Sequence, residues 1–249
     1  MIKVAVCGAN GKMGQEVVKA VTKADDMELV AQIDIQNGEF VSIKDAQKAV
    51  VIDVLIDFTQ PASIYENALY CLNNGIKIVI GTTGLTDMQI DELKKLSTEK
   101  STACLIAPNF STGAVLLMKF AQMGAKYFDN AEIIELHHNQ KKDAPSGTAI
   151  KTASMMAEVN DDFTTGNCPE KETIEGARGG VAYNNIHIHS VRMPGYIASQ
   201  EVIFGANGQV MTLRHDSMNR ECYMSGVLLA TRYVSKNQDF IYGLDNIMN

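Results

Sequence analysis

The sequence predicts an α/β fold, and three observations carry that reading. Short β-branched apolar runs alternate with stretches of helical periodicity across the first hundred residues, as in a doubly wound, mostly parallel sheet. A glycine-rich turn follows the first of those runs. Beyond residue 180, three strand-like runs joined by turn formers read as an open, mainly antiparallel sheet with helices on one face.

Ile2 to Cys7 has the apolar, β-branched character of a buried parallel strand. Gly8-Ala9-Asn10-Gly11-Lys12-Met13-Gly14 follows, and the periodicity then predicts a helix from about Gly11 to Ala24. A second strand at Leu29 to Ile33 ends on Asp34, an acid twenty residues beyond the last glycine. This is a βαβ unit of Rossmann type, with Gly-x-x-Gly-x-x-Gly where the commoner form is Gly-x-Gly-x-x-Gly. Glycines let backbone approach a pyrophosphate, the helix N-terminus stabilises its charge, and Asp34 can accept hydrogen bonds from the adenosine ribose. Without its flanking strand, helix and acid, the turn would read simply as a tight turn. Ile35, Gln36 and Asn37 bring no cation beside Asp34, which favours NADH over NADPH, although Lys12 or Lys44 could reach a 2′-phosphate.

The alternation continues through a strand at Val50 to Phe58 and a helix opening at Thr59-Gln60-Pro61 and running to Leu72. A strand at Ile76 to Ile80, a helix from Asp87 to Leu96 and a strand at Ala103 to Ala107 complete it. Ligands of such sheets bind beyond the carboxyl ends of the strands. That places Phe58-Thr59-Gln60-Pro61, Gly81-Thr82-Thr83-Gly84 and Ala107-Pro108-Asn109-Phe110-Ser111 as candidate contacts, each read equally well as turn chemistry, and Phe110 also as core. A helix capped by Ser111 or Thr112 follows and runs through Met123.

A formal net charge of −7 argues against a nucleic-acid binder, which needs a basic stripe, but leaves room for a local basic pocket and an anionic substrate. No apolar run is long enough to span a bilayer, and Met1 leads straight into a strand without a signal-peptide pattern. Cys7, Cys71, Cys104, Cys168 and Cys222 are scattered with no Cys-x-x-Cys pair, as expected of reduced thiols in a cytoplasmic protein.

The densest chemistry lies in Glu135-Leu136-His137-His138-Asn139-Gln140-Lys141-Lys142-Asp143-Ala144-Pro145-Ser146-Gly147-Thr148-Ala149. A strand over Ala131 to Leu136 precedes it and a helix over Thr148 to Val159 follows, so its charged residues occupy a strand-to-helix connection. Ser146 can cap that helix, and with no Glu or Gln at Ala149 there is no capping box. N–H groups around Gly147 and Thr148 can then receive an anion such as a carboxylate. His137 suits acid–base work near neutral pH, and Lys141 can pair with a carboxylate or donate a proton. The alternative is a solvated polar loop in which these residues are ordinary surface charge.

This stretch resembles the signature of the 4-hydroxy-tetrahydrodipicolinate (dihydrodipicolinate) reductase family, Glu-x-His-His-x-x-Lys-x-Asp-Ala-Pro-Ser-Gly-Thr-Ala, with every fixed position present. The resemblance extends over essentially the whole chain. It implies NAD(P)H-dependent reduction of a cyclic dicarboxylate: loss of its hydroxyl as water, hydride transfer to C4 and protonation. It implies catalytic roles for His137 and Lys141, and dicarboxylate binding by His138, Lys141, Gly147 and Thr148 beside the Ser146 cap. Cofactor contacts follow at Gly8 to Met13, Asp34, Gly81, Thr82, Thr83, Ala107, Pro108, Asn109 and Phe110. No metal is called for, because hydride chemistry belongs to the nicotinamide. The resemblance further implies a discontinuous dinucleotide-binding domain, residues 1–108 with 217–249, around an inserted α+β domain, residues 109–216, through which subunits form a homotetramer.

In the second half, Asp161 to Gly180 reads as loop, Ile186 to Met193, Ile197 to Phe204 and Gln209 to Arg214 as strands, and Arg220 to Tyr233 as helix. His187 and His189 share one strand face, read as solvated or interfacial, and His215 reads as a surface histidine. Arg192 and Gly195 are left open as pocket residues. Two rivals stand beside the reductase reading: an amino-acid dehydrogenase using the same cofactor half, and a non-catalytic NADH-sensing module. Neither requires the full His-His…Lys…Asp-Ala-Pro-Ser-Gly-Thr set.

Overall fold

The computed structural model describes residues 1–166 and 168–248 and divides into two compact units, Met1–Thr112 with Arg220–Asn249, and Gly113–Asn219. In the first, β1 (Ile2–Cys7) runs into a turn and then α1 (Lys12–Lys23). The turn is fixed by close packing: a Cβ on Gly14 would lie 2.0 Å from the Gly8 carbonyl oxygen, and one on Gly8, at φ +79°, 2.3 Å from that of Phe58. Only glycine lets α1 sit this close to the strand end. β2 (Met27–Ile33) follows, and then α2 (Ile43–Ala49), a helix the periodicity did not reveal because seven residues give too few repeats. Ser42 caps it, accepting from Asp45 N–H, and Val50 closes it. The strand expected from Val50 is therefore confined to β3 (Val54–Asp57). α3 (Pro61–Asn73), β4 (Lys77–Ile80), α4 (Asp87–Lys100) and β5 (Cys104–Ile106) complete the alternation. α4 starts on a capping box between Thr86 and Gln89.

The second unit holds α5 (Thr112–Gly124, beginning one residue before the division), β6 (Asn130–His137), α6 (Gly147–Ala157), β7 (Gly180–Val181), β8 (His187–Arg192), β9 (Ala198–Ala206) and β10 (Gln209–Ser217). The sheet order is β10-β9-β6-β8-β7. β9 and β10 form the hairpin expected at Ala206-Asn207-Gly208, with Gly208 at φ +78°. The central β6–β8 pair is parallel, so Pro194-Gly195-Tyr196 connects two strands that β6 separates rather than a hairpin. Ala131 and Ile133, Ile188, and Val202 and Phe204 face α5 and α6, whose Leu117, Ala121, Ala149, Ala153 and Met156 close the core. Alternation sends Ile134, Leu136, Ile203 and Val210 to the opposite face.

The chain then returns to the first unit through a 3₁₀ turn at Arg220–Tyr223, α7 (Met224–Lys236) and a further strand, β11 (Phe240–Tyr242). The six strands are all parallel, in the order β11-β5-β4-β3-β1-β2. A lone parallel bridge from Ile33 to Phe40 marks a vestigial strand beyond β2. α2, α3 and α4 pack Ala46, Ile64, Ala68, Leu72 and Leu93 on one face, while α1 and α7 lie on the other. Each fully buried Ile or Leu contributes roughly 1.5–3 kcal/mol. Cys7, Cys71 and Cys104 meet in this core, where burial pushes all three thiols up, Cys104 to about 12. Among the described residues, no helix is long and apolar enough to cross a membrane.

Candidate active site

In the first unit, strand order reverses between β1 and β3, the switch point where such sheets bind ligands. A cavity of about 1290 Å³ opens there, lined by Gly8, Asn10, Gly11, Asp34, Gln36 and Lys44 among others. The N–H groups of Gly8 and Ala9 donate to Ile33 O and that of Gly11 to Gly8 O, while Asp34 accepts from Asn10 N–H at 3.0 Å and Gln36 N–H at 2.9 Å. Gly11 gives α1 no side-chain cap, so the Lys12 and Met13 N–H groups are left for an anion at the helix N-terminus. The turn, the acid and the uncapped helix together fit a dinucleotide.

The structure brings only part of the expected cofactor set to this cavity. Gly8, Asn10, Gly11 and Asp34 line it; Ala9, Lys12, Met13, Gly81, Thr82, Thr83, Ala107, Pro108, Asn109 and Phe110 do not. Thr82 is buried and Phe110 is buried, its ring 5.8 Å from that of Phe58. A Cβ on Gly81 would strike the Phe58 ring. Asp57, fully buried at the end of β3, organises this region. Its Oδ1 accepts from Thr59 N–H (3.0 Å), Thr59 Oγ1 (2.7 Å) and Thr82 Oγ1 (2.6 Å), and its Oδ2 from Asn67 Nδ2 (2.9 Å). Sequence reasoning missed Asp57 because an acid ending an apolar strand looks like a solvated terminus.

In the second unit, β6 delivers His137 to the head of the connection, and α6 begins where the connection ends. Residues 131, 133, 135 and 137 share the helix-covered face, so Glu135 and His137 stand together. Glu135 is fully buried, and its Oε2 lies 2.5 Å from His137 Nδ1. Arg192, opposite His137 on β8, grips both carboxylate oxygens at 2.8 and 2.7 Å and also reaches Asp143 O at 2.7 Å. Ser146 N–H donates to Glu135 Oε1 (3.2 Å), while Ser146 Oγ accepts from Ala149 N–H. Lys141 Nζ contacts both oxygens of Asp143 at 2.8 and 2.7 Å. His138 Nδ1 accepts from Gln140 N–H. A Cβ on Gly147 would meet no atom within 4 Å, so protein packing does not require glycine there, whereas close approach of a ligand would.

Burial alone would raise the Glu135 carboxyl, but hydrogen bonds from His137, Arg192 and Ser190 outweigh it and hold the group at about 2, against an ordinary 4.5. A depressed carboxyl contributes stability that is present above 4.5 and lost as pH falls toward 2. Allowing for partial screening, that is on the order of 2 kcal/mol. Urea midpoints at pH 5 and pH 3 are expected to fall further in the wild type than in Glu135→Gln.

The histidines have partners that the sequence reading did not give them. His187 is buried rather than solvated, its Nδ1 2.6 Å from Arg178 O, and His189 Nε2 lies 2.8 Å from Glu132 Oε2. Parallel pairing of β6 with β8 sets Glu132 opposite His187, a partner that no sequence spacing near the histidines could reveal. Arg178 bridges Glu132 and Glu170 in the same cluster. His215 packs against Gly113 of α5, where burial lowers its pKa. Arg192, left open by the sequence, engages Glu135. Among the described residues no group of three or more His, Cys, Asp or Glu could hold a metal.

A parallel sheet with a glycine turn at its switch point, joined in one chain to a unit bearing His137 and Lys141, defines a pyridine-nucleotide-dependent oxidoreductase. Family models described as dihydrodipicolinate reductase, N-terminus and C-terminus, match residues 2–110 and 113–248. The 4-hydroxy-tetrahydrodipicolinate reductase of a Picosynechococcus strain is 48% identical, covering 99% of this chain and 98% of the relative. That of Lysinibacillus sphaericus is 47% identical, covering 99% of each. A dipicolinate-bound dihydrodipicolinate reductase from Paenisporosarcina sp. TG-14 superposes with a TM-score of 0.92 at 46% identity, covering 100% of both chains. A dehydrogenase from Clostridium difficile, 16% identical with a TM-score of 0.65 over 96% of this chain and 92% of its own, shares the fold alone. The chain belongs to the dihydrodipicolinate reductase family.

Proposed function

We propose that this chain reduces 4-hydroxy-tetrahydrodipicolinate to tetrahydrodipicolinate, using a pyridine nucleotide held by the first unit and gripping the dicarboxylate with the connection between β6 and α6. The observation that carries this reading is the complete signature set opening onto the α6 N-terminus, in a chain 46–48% identical to reductases of that name. His137 serves as the acid–base residue and Lys141 as a second proton donor that also holds a carboxylate. Its pairing with Asp143, whose side chain is 62% exposed, is a weak surface ion pair that a substrate carboxylate can displace. His138, Gly147 and Thr148 bind the carboxylates, and Ser146 orders the helix end. The nicotinamide, when bound, supplies the hydride. Gly8 to Met13 and Asp34 hold the pyrophosphate and ribose, with residues 81–83 and 107–110 toward the nicotinamide.

NADH is the preferred cofactor and NADPH is also accepted. Asp34 repels a 2′-phosphate, and Lys44 is the one cation among the described residues lining the cavity. The test generates the substrate in situ with its synthase and follows oxidation of each cofactor. Turnover with kcat/KM higher for NADH is expected, and Lys44→Ala should weaken NADPH use several-fold while barely changing NADH. Binding of NADH without turnover would sink the reductase reading. A higher efficiency with NADPH would overturn the cofactor preference. The sheet face bearing Ile134, Leu136, Ile203 and Val210, with Glu132, Glu201 and Arg214 among them, suits assembly into a homotetramer, and light scattering should give four times the 27.2 kDa chain.

A further inference from the structure

An imidazole does acid–base work at one nitrogen, and which nitrogen is available depends on what the other one meets. For His137 that partner is settled by the saturation of Glu135. Oε1 of Glu135 accepts from Arg192 and from Ser146 N–H, and Oε2 accepts from Arg192 and faces His137 Nδ1. All of the neighbouring groups donate, so the carboxylate is an acceptor only. Its pKa of about 2 keeps it so throughout the neutral range. Nδ1 must therefore carry its proton, and Nε2 has no hydrogen bond to any described residue.

We propose that Glu135, clamped by Arg192, is a positioning residue for the reduction, fixing His137 as the Nδ1–H tautomer so that Nε2 alone exchanges a proton with the substrate. This rests on reading His137 as the acid–base residue. The proton taken or given at Nε2 belongs to the imidazole. Glu135 neither gains nor loses one, as for the buried carboxylate that orients the histidine of a serine protease. Arg192 extends the arrangement, because the guanidinium that holds Glu135 also binds Asp143 O and so anchors the loop bearing Lys141. The charged groups around His137 are thus Glu135 on its own strand, Arg192 on β8, and Lys141 and Asp143 in the connection.

The test combines kinetics with nitrogen NMR of protein labelled with 15N-histidine, the His137 signal being assigned by its loss in His137→Gln. In the wild type, at a pH where the ring is neutral, the two-bond correlation pattern is expected to show the Nδ1–H tautomer, although the other predominates in water. In Glu135→Gln, Arg192 donates at both positions, so Ser146 N–H, which donates at Oε1 alone, directs the amide oxygen there. The NH₂ then faces His137 Nδ1 and inverts the tautomer. kcat should fall about 10²-fold or more, with KM for the dicarboxylate within about threefold of wild type. An Nε2–H tautomer in the wild type would overturn the proposal even if the variant failed to fold. So would a Glu135→Gln enzyme that loses kcat with the His137 tautomer unchanged, since that loss would be structural. If His137→Gln itself keeps wild-type turnover, the acid–base reading fails. If His137→Gln loses turnover while Glu135→Gln keeps wild-type kcat and tautomer, that reading stands and the positioning role alone falls.

Discussion

Replacing His137 by alanine is expected to lower kcat by about 10²–10⁴-fold, the usual contribution of a positioned general acid or base. The fold should survive, because Glu135 keeps both bonds to Arg192 and the one from Ser146 N–H, so no buried charge is orphaned. NADH affinity, a property of the first unit, should stay within about twofold of wild type. Lys141→Ala is expected to lose rate as well and, because Lys141 also holds a carboxylate, to raise KM. If the two residues serve one proton-transfer sequence, the double variant will be little slower than the worse single one, because residues that act as a unit are strongly non-additive. Steady-state kinetics for the four proteins, with cofactor titrations by fluorescence, would decide. An additive double variant would separate the two roles, and an unchanged kcat in His137→Ala would remove His137 from the chemistry.

The sequence revealed what depends on local pattern. β1, its glycine turn and Asp34 are contiguous signals, and so are the Ser146 cap and the hairpin at Gly208. Short or irregular pieces escaped: α2 offers only two buried apolar positions, Ile43 and Ala46, and β11 only three residues. Pairings across the chain escaped for a different reason. The parallel register of β6 with β8 sets Arg192 against His137 and Glu132 against His187, 55 residues apart in each case, and sequence spacing carries no trace of it. The pairing of Glu135 with His137 escaped because the strand reading stopped at Leu136, one residue short of the histidine that shares its face. Asp57 was illegible because its four donors come from Thr59, Asn67 and Thr82, on two loops and a helix.

That convergence sets the largest expected effect on stability. Asp57→Ala removes a fully buried acceptor from four donors at once, leaving the Thr59 N–H and hydroxyl, the Thr82 hydroxyl and the Asn67 amide without it. Thr59 N–H keeps Thr82 Oγ1 as a second acceptor at 2.7 Å, so three donors lose their acceptor. At about 1–3 kcal/mol each, less whatever the half-buried Thr59 and Asn67 regain from water, a loss of roughly 3–5 kcal/mol is expected. At 2–4 °C per kcal/mol for a chain of this size, Tm should fall by about 6–20 °C. Asp57→Asn should cost only about 1–2 kcal/mol. Its carbonyl retains the three Oδ1 partners, and the Asn67 amide can turn its oxygen to meet the new NH₂. Both variants remove the charge and only one removes the acceptor. Equal losses would mean that the charge itself matters, through the field at the β3 end. A loss below about 1 kcal/mol in Asp57→Ala would mean that the Thr59 and Thr82 loops hold their shape without it. If the loops do depend on Asp57, NADH affinity should fall with stability in the alanine variant and hold in the asparagine one, because Thr59 lines the cavity.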